Sequence, residues 1–290
     1  RMIFNDPSST PEQTAQALER LTKAAEAGQD CAQYALGKIY RDGQGVEKDI
    51  QKAVALFTLA ATKENSFAAF ALGKLYLAGD AALPRDPAAA LKWLTYAAEL
   101  GNQFAQYRLG KLLLKGDDGI PKDVITAIRW LTAAAKQENG YAEYVLALVY
   151  LTGEDAPKDS AKALSLLKRS AGRGNQFAQY RLGKLLLQGE DAPKDVKAAI
   201  RWLTAAAEQG NQYAQYALGK LYLLGKEVPK DRSSAIKWFQ LAADRGNEYA
   251  QYFLKHMDDR LGQPPVAAVI SLFHHLANIF QEQNQPPPSG

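Results

Sequence analysis

Apolar residues fall along this chain in short helical stripes that alternate between two registers. In residues 175–210, Ala178, Leu182, Leu185 and Leu186 stand at i, i+4, i+7 and i+8, one face of a helix. Ala199, Trp202, Leu203, Ala206 and Ala207 make a second stripe of the same kind. Between them Gly189-Glu190-Asp191-Ala192-Pro193-Lys194 is polar, with glycine at its start and proline near its end, and reads as a loop. Asp195 precedes the second stripe, where a carboxylate accepts from the first-turn amides and complements the helix dipole. Asp49, Asp86, Asp123, Asp159 and Asp231 hold the equivalent place, and Pro87 follows Asp86 at the first helical position. Gly210 closes the second stripe, as do Gly28, Gly101, Gly174 and Gly246, by supplying a left-handed C-cap.

The alternation has a clock. The phrase Ala-Gln-Tyr-x-Leu-Gly starts, with variations, at Ala32, Ala68, Ala105, Ala142, Ala178 and Ala214, and in degraded form at Ala250, in steps of 36 or 37 residues. Such a period means stacked two-helix units, because one helix pair cannot bury its own apolar faces. Gly37, Gly73, Gly110, Gly183 and Gly219 recur inside the first helix, where glycine costs about 1 kcal/mol against alanine. A cost repeated this often predicts close helix approach that a methyl would obstruct, with Ala147 as the one relaxation. Paired alanines such as Ala97-Ala98 and Ala134-Ala135 predict the same on the second helix.

The full pattern, A-x-Y-x-L-G-x-x-Y/L-x-x-G, then P-K-D, then A-x-x-W-x-x-x-A-A-x-x-G-N, covers about residues 11–259. It resembles the Sel1-like repeat family, kin of tetratricopeptide repeats with a longer loop inside each helix pair. Departures are local: Lys255 for glycine, Ser170 for the first paired alanine, Glu64 and Glu138 for the closing glycine. The resemblance implies an all-α, right-handed α-solenoid of antiparallel helix pairs with a C-terminal capping helix. It also implies a protein–protein interaction scaffold that is not an enzyme and needs no cofactor. The organisation expected is a lead-in over 1–10 and an N-terminal capping helix over 11–27. The repeat array follows over 28–259, then a capping helix over 265–283 and a proline-rich tail over 284–290.

Composition narrows the rest. The 35 basic and 31 acidic residues leave a net charge of +4, well short of the excess of a dedicated nucleic-acid binder. Direct nucleic-acid binding is therefore not expected. One cysteine, Cys31, excludes an intrachain disulfide framework and leans toward a reducing compartment. No apolar run is long enough to span a membrane, and Arg1–Asp6 lack a signal-peptide core. A cytoplasmic monomer is the expectation, and the start at Arg1 suggests a piece of something longer.

Catalytic chemistry has little footing. His256, His274 and His275 are the histidines, and adjacent His274-His275 diverge by about 100° on a helix, so they cannot clamp one metal. Cys31 stands where other repeats carry Phe67, Phe104, Tyr141, Phe177, Tyr213 and Tyr249, and reads as a small apolar filler. The loop pairs Asp117-Asp118, Glu154-Asp155 and Glu190-Asp191 lack the alternation of a calcium loop and read as solvated.

Two rows on the first helices carry the binding expectation. The aromatic row is Tyr34, Phe70, Tyr107, Tyr144, Tyr180, Tyr216 and Tyr252. Four residues later come Lys38, Lys74, Lys111, Leu148, Lys184, Lys220 and His256. Spacing of i, i+4 puts each aromatic beside its lysine. If first helices line a concave groove, Tyr107, Lys111, Tyr144, Tyr180, Lys184, Tyr216 and Lys220 would hold an extended, acidic protein or peptide segment. Half-burial between repeats and plain solvation of the lysines are the competing readings. Finally, Leu272–Phe280 resembles the C-terminal segment of mobilisation relaxases of conjugative elements that carry such repeats. That resemblance implies the alternative, an accessory module recruiting or positioning transfer-complex components, although a nickase's metal motif is absent here.

Overall fold

The computed structural model describes residues 10–116 and 119–256, except for the side chain of His256. The expected capping helix over 265–283, the tail, His274 and His275 lie outside those residues. Fourteen α-helices and no β-strand are found among the described residues. The first-type helices are α2 (Asp30–Asp42), α4 (Ser66–Ala78), α6 (Gln103–Lys115), α8 (Gly140–Thr152), α10 (Gln176–Gln188), α12 (Gln212–Leu224) and α14 (Glu248–His256). The second-type helices are α1 (Pro11–Glu26), α3 (Ile50–Ala61), α5 (Pro87–Glu99), α7 (Val124–Lys136), α9 (Ser160–Gly172), α11 (Val196–Glu208) and α13 (Arg232–Ala243). The chain forms two compact units, Arg1–Trp202 and Leu203–Gly290.

In the first unit each helix packs on its neighbours in the chain, as α-solenoid repeats do. Its apolar centre runs from repeat to repeat, through Phe57, Leu72, Leu94, Leu109, Leu131, Leu167 and Leu182. In the second unit Phe239 and Phe253 stack at 5.3 Å between ring centroids, and Tyr216 completes the cluster.

Helix ends follow from the residues that flank them. Asp49, Asp86, Asp123, Asp159 and Asp231 each accept from the amide three residues on. The backbone N–H of each cap aspartate donates to a last-turn carbonyl of the preceding helix, as Asp123 does to Leu113 at 2.9 Å, which closes the loop. Asparagine does the same work for the first-type helices, at Asn65, Asn102, Asn139, Asn175, Asn211 and Asn247. Where the closing glycine is missing, Glu64 and Glu138 adopt φ of 62° and 65°, so the turn geometry survives without the residue that suits it.

The glycine seam is a close approach. A Cβ on Gly110 would lie 2.6 Å from Leu131 Cγ and 3.0 Å from the Ala127 carbonyl oxygen. Gly37 faces Phe57, Gly73 faces Leu94 and Gly219 faces Phe239 at comparable distances. Each time the opposing residue is the large apolar side chain of the second helix of the same repeat. Removing the methyl admits that side chain, which stabilises by burial more than glycine costs in helix propensity.

Candidate functional site

The first-type helices of the first unit carry an aromatic ladder. Four motif aromatics each meet an aromatic from the start of the next first-type helix. The ring centroids of Tyr34 and Phe67 are 6.2 Å apart, Phe70 and Phe104 6.4 Å, Tyr107 and Tyr141 6.0 Å, Tyr144 and Phe177 6.2 Å. These separations suit offset or tilted aromatic pairs. Phe67, Phe104 and Tyr141 remain about half exposed, at 51%, 49% and 56%. A row of half-exposed large aromatics is an unusual surface for a solvated helix array.

Cys31 is corrected by the same geometry. It is exposed rather than an apolar filler, with its thiol 3.7 Å from Asp30 Oδ2. An aromatic at this position covers the motif ring of the preceding repeat. No first-type helix precedes α2 among the described residues, so a large ring there would have nothing to cover.

Tyr107 and Tyr144 are half-buried in the ladder rather than pointing outward, and Tyr180 is half-buried as well. Burial raises the phenol pKa of Tyr107 and Tyr144 above the usual value, so both hydroxyls stay protonated. Tyr216, in the second unit, is only 4% exposed, against Phe239 and Phe253. Its place in an accessible groove is thereby withdrawn: the bulky Phe239 and Phe253 close over its ring. Lys220 sits one turn further along α12 and is half-buried.

Lysines flank the ladder. Lys38 Nζ lies 5.6 Å from the Tyr34 ring centroid and Lys74 Nζ 5.7 Å from that of Phe70, within cation–π range. Lys111 and Lys184 are half-buried, not simply solvated. Burial, followed by the neighbouring Arg108 and Lys115, holds Lys111 below the usual ammonium range. Burial and then Arg181 do the same to Lys184, against a smaller pull from Glu190. No acidic residue occurs within α4, α6 or α10. The one in α8, Glu143, is fully buried and paired with Arg169 and Arg173.

The loops also depart from expectation. Asp155 and Asp191 are not merely solvated: Lys122 reaches Asp155 at 2.6 Å and Lys158 reaches Asp191 at 2.8 Å. Lys48 reaches Asp80 in the same way at 2.8 Å. The lysine of each of these three steps thus binds the acidic loop of the following repeat. Asp117 and Asp118 lie outside the described residues.

A further repeat feature escaped sequence reasoning. The glutamine of the Ala-Gln-Tyr phrase is buried and donates from Nε2 to a carbonyl eight residues earlier. The bonds run from Gln33 to Ala25, Gln106 to Ala98, Gln179 to Ala171 and Gln215 to Ala207, at 2.9–3.1 Å. Its recurrence inside an otherwise apolar phrase is the signal that points to it.

Among the described residues no group of three His, Cys, Asp or Glu side chains could hold a metal ion, and no helix is long and apolar enough to cross a membrane. The segment resembling relaxase C-termini, 272–280, lies outside the described residues.

Comparison with known proteins agrees with the architecture. No curated protein matches the chain. Among solved structures, the chain is similar to c5321, a protective antigen present in uropathogenic Escherichia coli strains that displays an SLR fold. Identity is 34% and the TM-score 0.77, over 90% of this chain and 56% of that one. This chain therefore spans little more than half of that protein. It is also similar to a Sel1 repeat protein from Oxalobacter formigenes, at 34% identity and TM-score 0.75, over 86% of this chain and 71% of that one. The Sel1 repeat pattern matches residues 32–65, 66–102, 103–139, 140–175, 176–211 and 212–247. Those boundaries coincide with the helix pairs and their asparagine-capped turns, and the chain belongs to the Sel1 repeat family.

Proposed function

We propose that this protein is a non-enzymatic scaffold and that the first-helix face of its first unit is the surface that holds a partner protein. Sel1 repeats are generally protein-interaction scaffolds. The observation that carries the assignment to this face is the aromatic ladder. Phe67, Phe104 and Tyr141 stay half exposed although each already packs one edge against a neighbouring ring. Aromatic side chains with little rotamer freedom are the residues that carry most interface binding energy. The lysines beside them add charge-assisted bonding and favour an acidic partner.

Site-specific photocrosslinking tests this reading in cells that express the protein. A benzophenone side chain replacing Phe104 reports on the first-helix face, and one replacing Ile125, 85% exposed on α7, reports on a second-type helix. Discrete adducts from position 104 that are absent from position 125 are the expected result. Equal adducts from both, or adducts from position 125 alone, would exclude the first-helix face.

A further inference from the structure

We infer that the partner segment is proline-rich and in the polyproline II conformation, with a proline at every third residue and acidic residues between. The inference rests on reading the first-helix face as the partner surface. Phe67, Phe104 and Tyr141 each stand two residues past the asparagine cap of α4, α6 and α8, so these exposed rings form one row across the helix starts. Phe177, at the same place on α10, is half-buried, which leaves the exposed row with three rungs.

Side chains one period apart tie the helix starts together. Asn65 Nδ2 donates to Asp30 Oδ2 at 2.8 Å, which joins α4 to α2. Asn102 Nδ2 donates to Ser66 Oγ, and Asn175 Nδ2 to the Gly140 carbonyl, each at 3.4 Å, which joins α6 to α4 and α10 to α8. Between α6 and α8 the ring contact of Tyr107 with Tyr141 does the same. The rungs are thus set before any ligand arrives, and a preordered surface binds at lower entropic cost.

The spacing of the rungs selects the conformation of the ligand. Packed helices lie about 8–10 Å apart, which sets the step from rung to rung. A polyproline II helix has three residues per turn at about 3.1 Å each, so the same face returns about every 9.3 Å. An extended β segment returns a face about every 6.6 Å, and an α-helix about every 5.4 Å. Neither of these places a side chain on all three rungs. Aromatic-lined grooves suit proline, whose ring is apolar and whose backbone arrives already ordered. Three rungs take prolines at the first, fourth and seventh residues of a segment.

Charge beside the row favours carboxylates between the prolines. Lys74 lies two turns past Phe67 on α4, and its ammonium group sits 5.7 Å from the centroid of Phe70, back toward the row. Lys38 holds the same place on α2, 5.6 Å from Tyr34. Over the last seven residues of α2 and of α4, Lys38, Arg41 and Lys74 stand against one acid, Asp42. Both Asp42 oxygens accept from Arg41 at 2.7 Å, and the acid also feels Lys38 and Lys74 more weakly. Three cations against one anion leave this edge positive, which suits an acidic segment and repels a basic one.

Fluorescence anisotropy with the full chain tests the inference. The probe is a labelled peptide with prolines at positions one, four and seven and glutamate and alanine between them. The comparisons are a permutation with proline at every second residue and a version with glutamine for glutamate. The every-third peptide should bind about tenfold more tightly than its permutation, the scale of one aromatic anchor. Phe104→Leu keeps apolar bulk against Phe70, so circular dichroism should show an intact fold while affinity drops about tenfold. Lys74→Gln should reduce the preference for glutamate over glutamine by about threefold, the scale of an exposed ion pair. Ile125→Ala, on α7, should change nothing.

Equal binding of the two spacings, no binding, glutamine and glutamate peptides that bind alike, or an affinity that Phe104→Leu leaves unmoved would overturn the inference. So would displacement of the peptide by oligothymidine at lower concentration than by unlabelled peptide. If the peptides fail while position 104 still gives its adducts, the polyproline segment falls and the scaffold reading stands. If the adducts are lost as well, both fall.

Discussion

Arg169 places its guanidinium 2.6 Å from the carboxylate of Glu143 and donates from the same side chain to the Ala135 carbonyl at 3.2 Å. In neighbouring repeats that carbonyl's counterpart receives a glutamine amide from the position Glu143 occupies. A carboxylate cannot donate, so Arg169 supplies the missing N–H and the positive charge together. Arg173 adds a second contact at 3.4 Å. The carboxylate meets these groups off hydrogen-bonding alignment, so the contact is one of charge more than of directed bonds.

Removing Arg169 therefore orphans a carbonyl and a buried charge at once. Arg169→Ala should destabilise by about 2–3 kcal/mol, at or below the lower end for broken buried pairs because Arg173 stays in reach. Glu143→Gln restores the donor of the other repeats and should be neutral or mildly stabilising. Combined, Glu143→Gln should recover most of the Arg169→Ala loss. Denaturant melts of the four proteins read the coupling directly, and additive single effects would refute it.

The glycine seam gives a paired prediction. Gly110→Val should cost about 1–3 kcal/mol, because its Cβ alone would sit 2.6 Å from Leu131 Cγ. Gly172, at the end of α9, has nothing within 4 Å of an added Cβ and no positive φ. Gly172→Ala should stabilise by about 0.5 kcal/mol through helix propensity. A thermal melt in which both move the same way would deny the seam its steric origin.

Two turns store strain. Glu64 and Glu138 hold a left-handed φ that costs a non-glycine residue roughly 1 kcal/mol. Glu64→Gly should raise the stability by about that amount. The gain at Glu138→Gly should be smaller, since its carboxylate also meets Arg173 at 2.9 Å. That ion pair is solvent-exposed and recovers only part of the strain. Equal melting temperatures for wild type and Glu64→Gly would contradict the account.

Much of this was legible in the sequence, for a physical reason. Helix pairs, their aspartate caps and the glycine seam depend on residues within one repeat, so a period of 36 or 37 residues prints them several times. What escaped were contacts between repeats: the lysine-to-acid steps from Lys122 to Asp155 and Lys158 to Asp191, and the overlap of Tyr107 with Tyr141. Each partner lies about one period away, and each residue alone looks like ordinary surface. Tyr216 misled for the same reason, because its burial is completed by Phe253, one period away, at a position where the other repeats carry Ala35, Ala71, Arg108, Val145, Arg181 and Ala217.

Lys111 links stability to the binding surface. Its pKa is lowered by burial first and by Arg108 and Lys115 next, so the folded chain holds that proton less firmly than the unfolded chain does. Below the folded value both states are charged, and the native state carries the whole penalty. Between the folded value and the free lysine value of about 10.4, the unfolded state binds more protons, so stability rises with pH. Lys111→Met keeps the apolar stem and deletes the charge, and should raise the melting temperature at neutral pH. That advantage should shrink as pH climbs toward about 10.4, where the wild type sheds its own charge. An acidic segment bound beside Lys111 should pull its pKa back up, so binding at alkaline pH should take up protons. Calorimetry in two buffers of different ionisation enthalpy measures that uptake. No uptake, together with a Lys111→Met advantage that ignores pH, would show that the lysine is solvated and stands apart from the site.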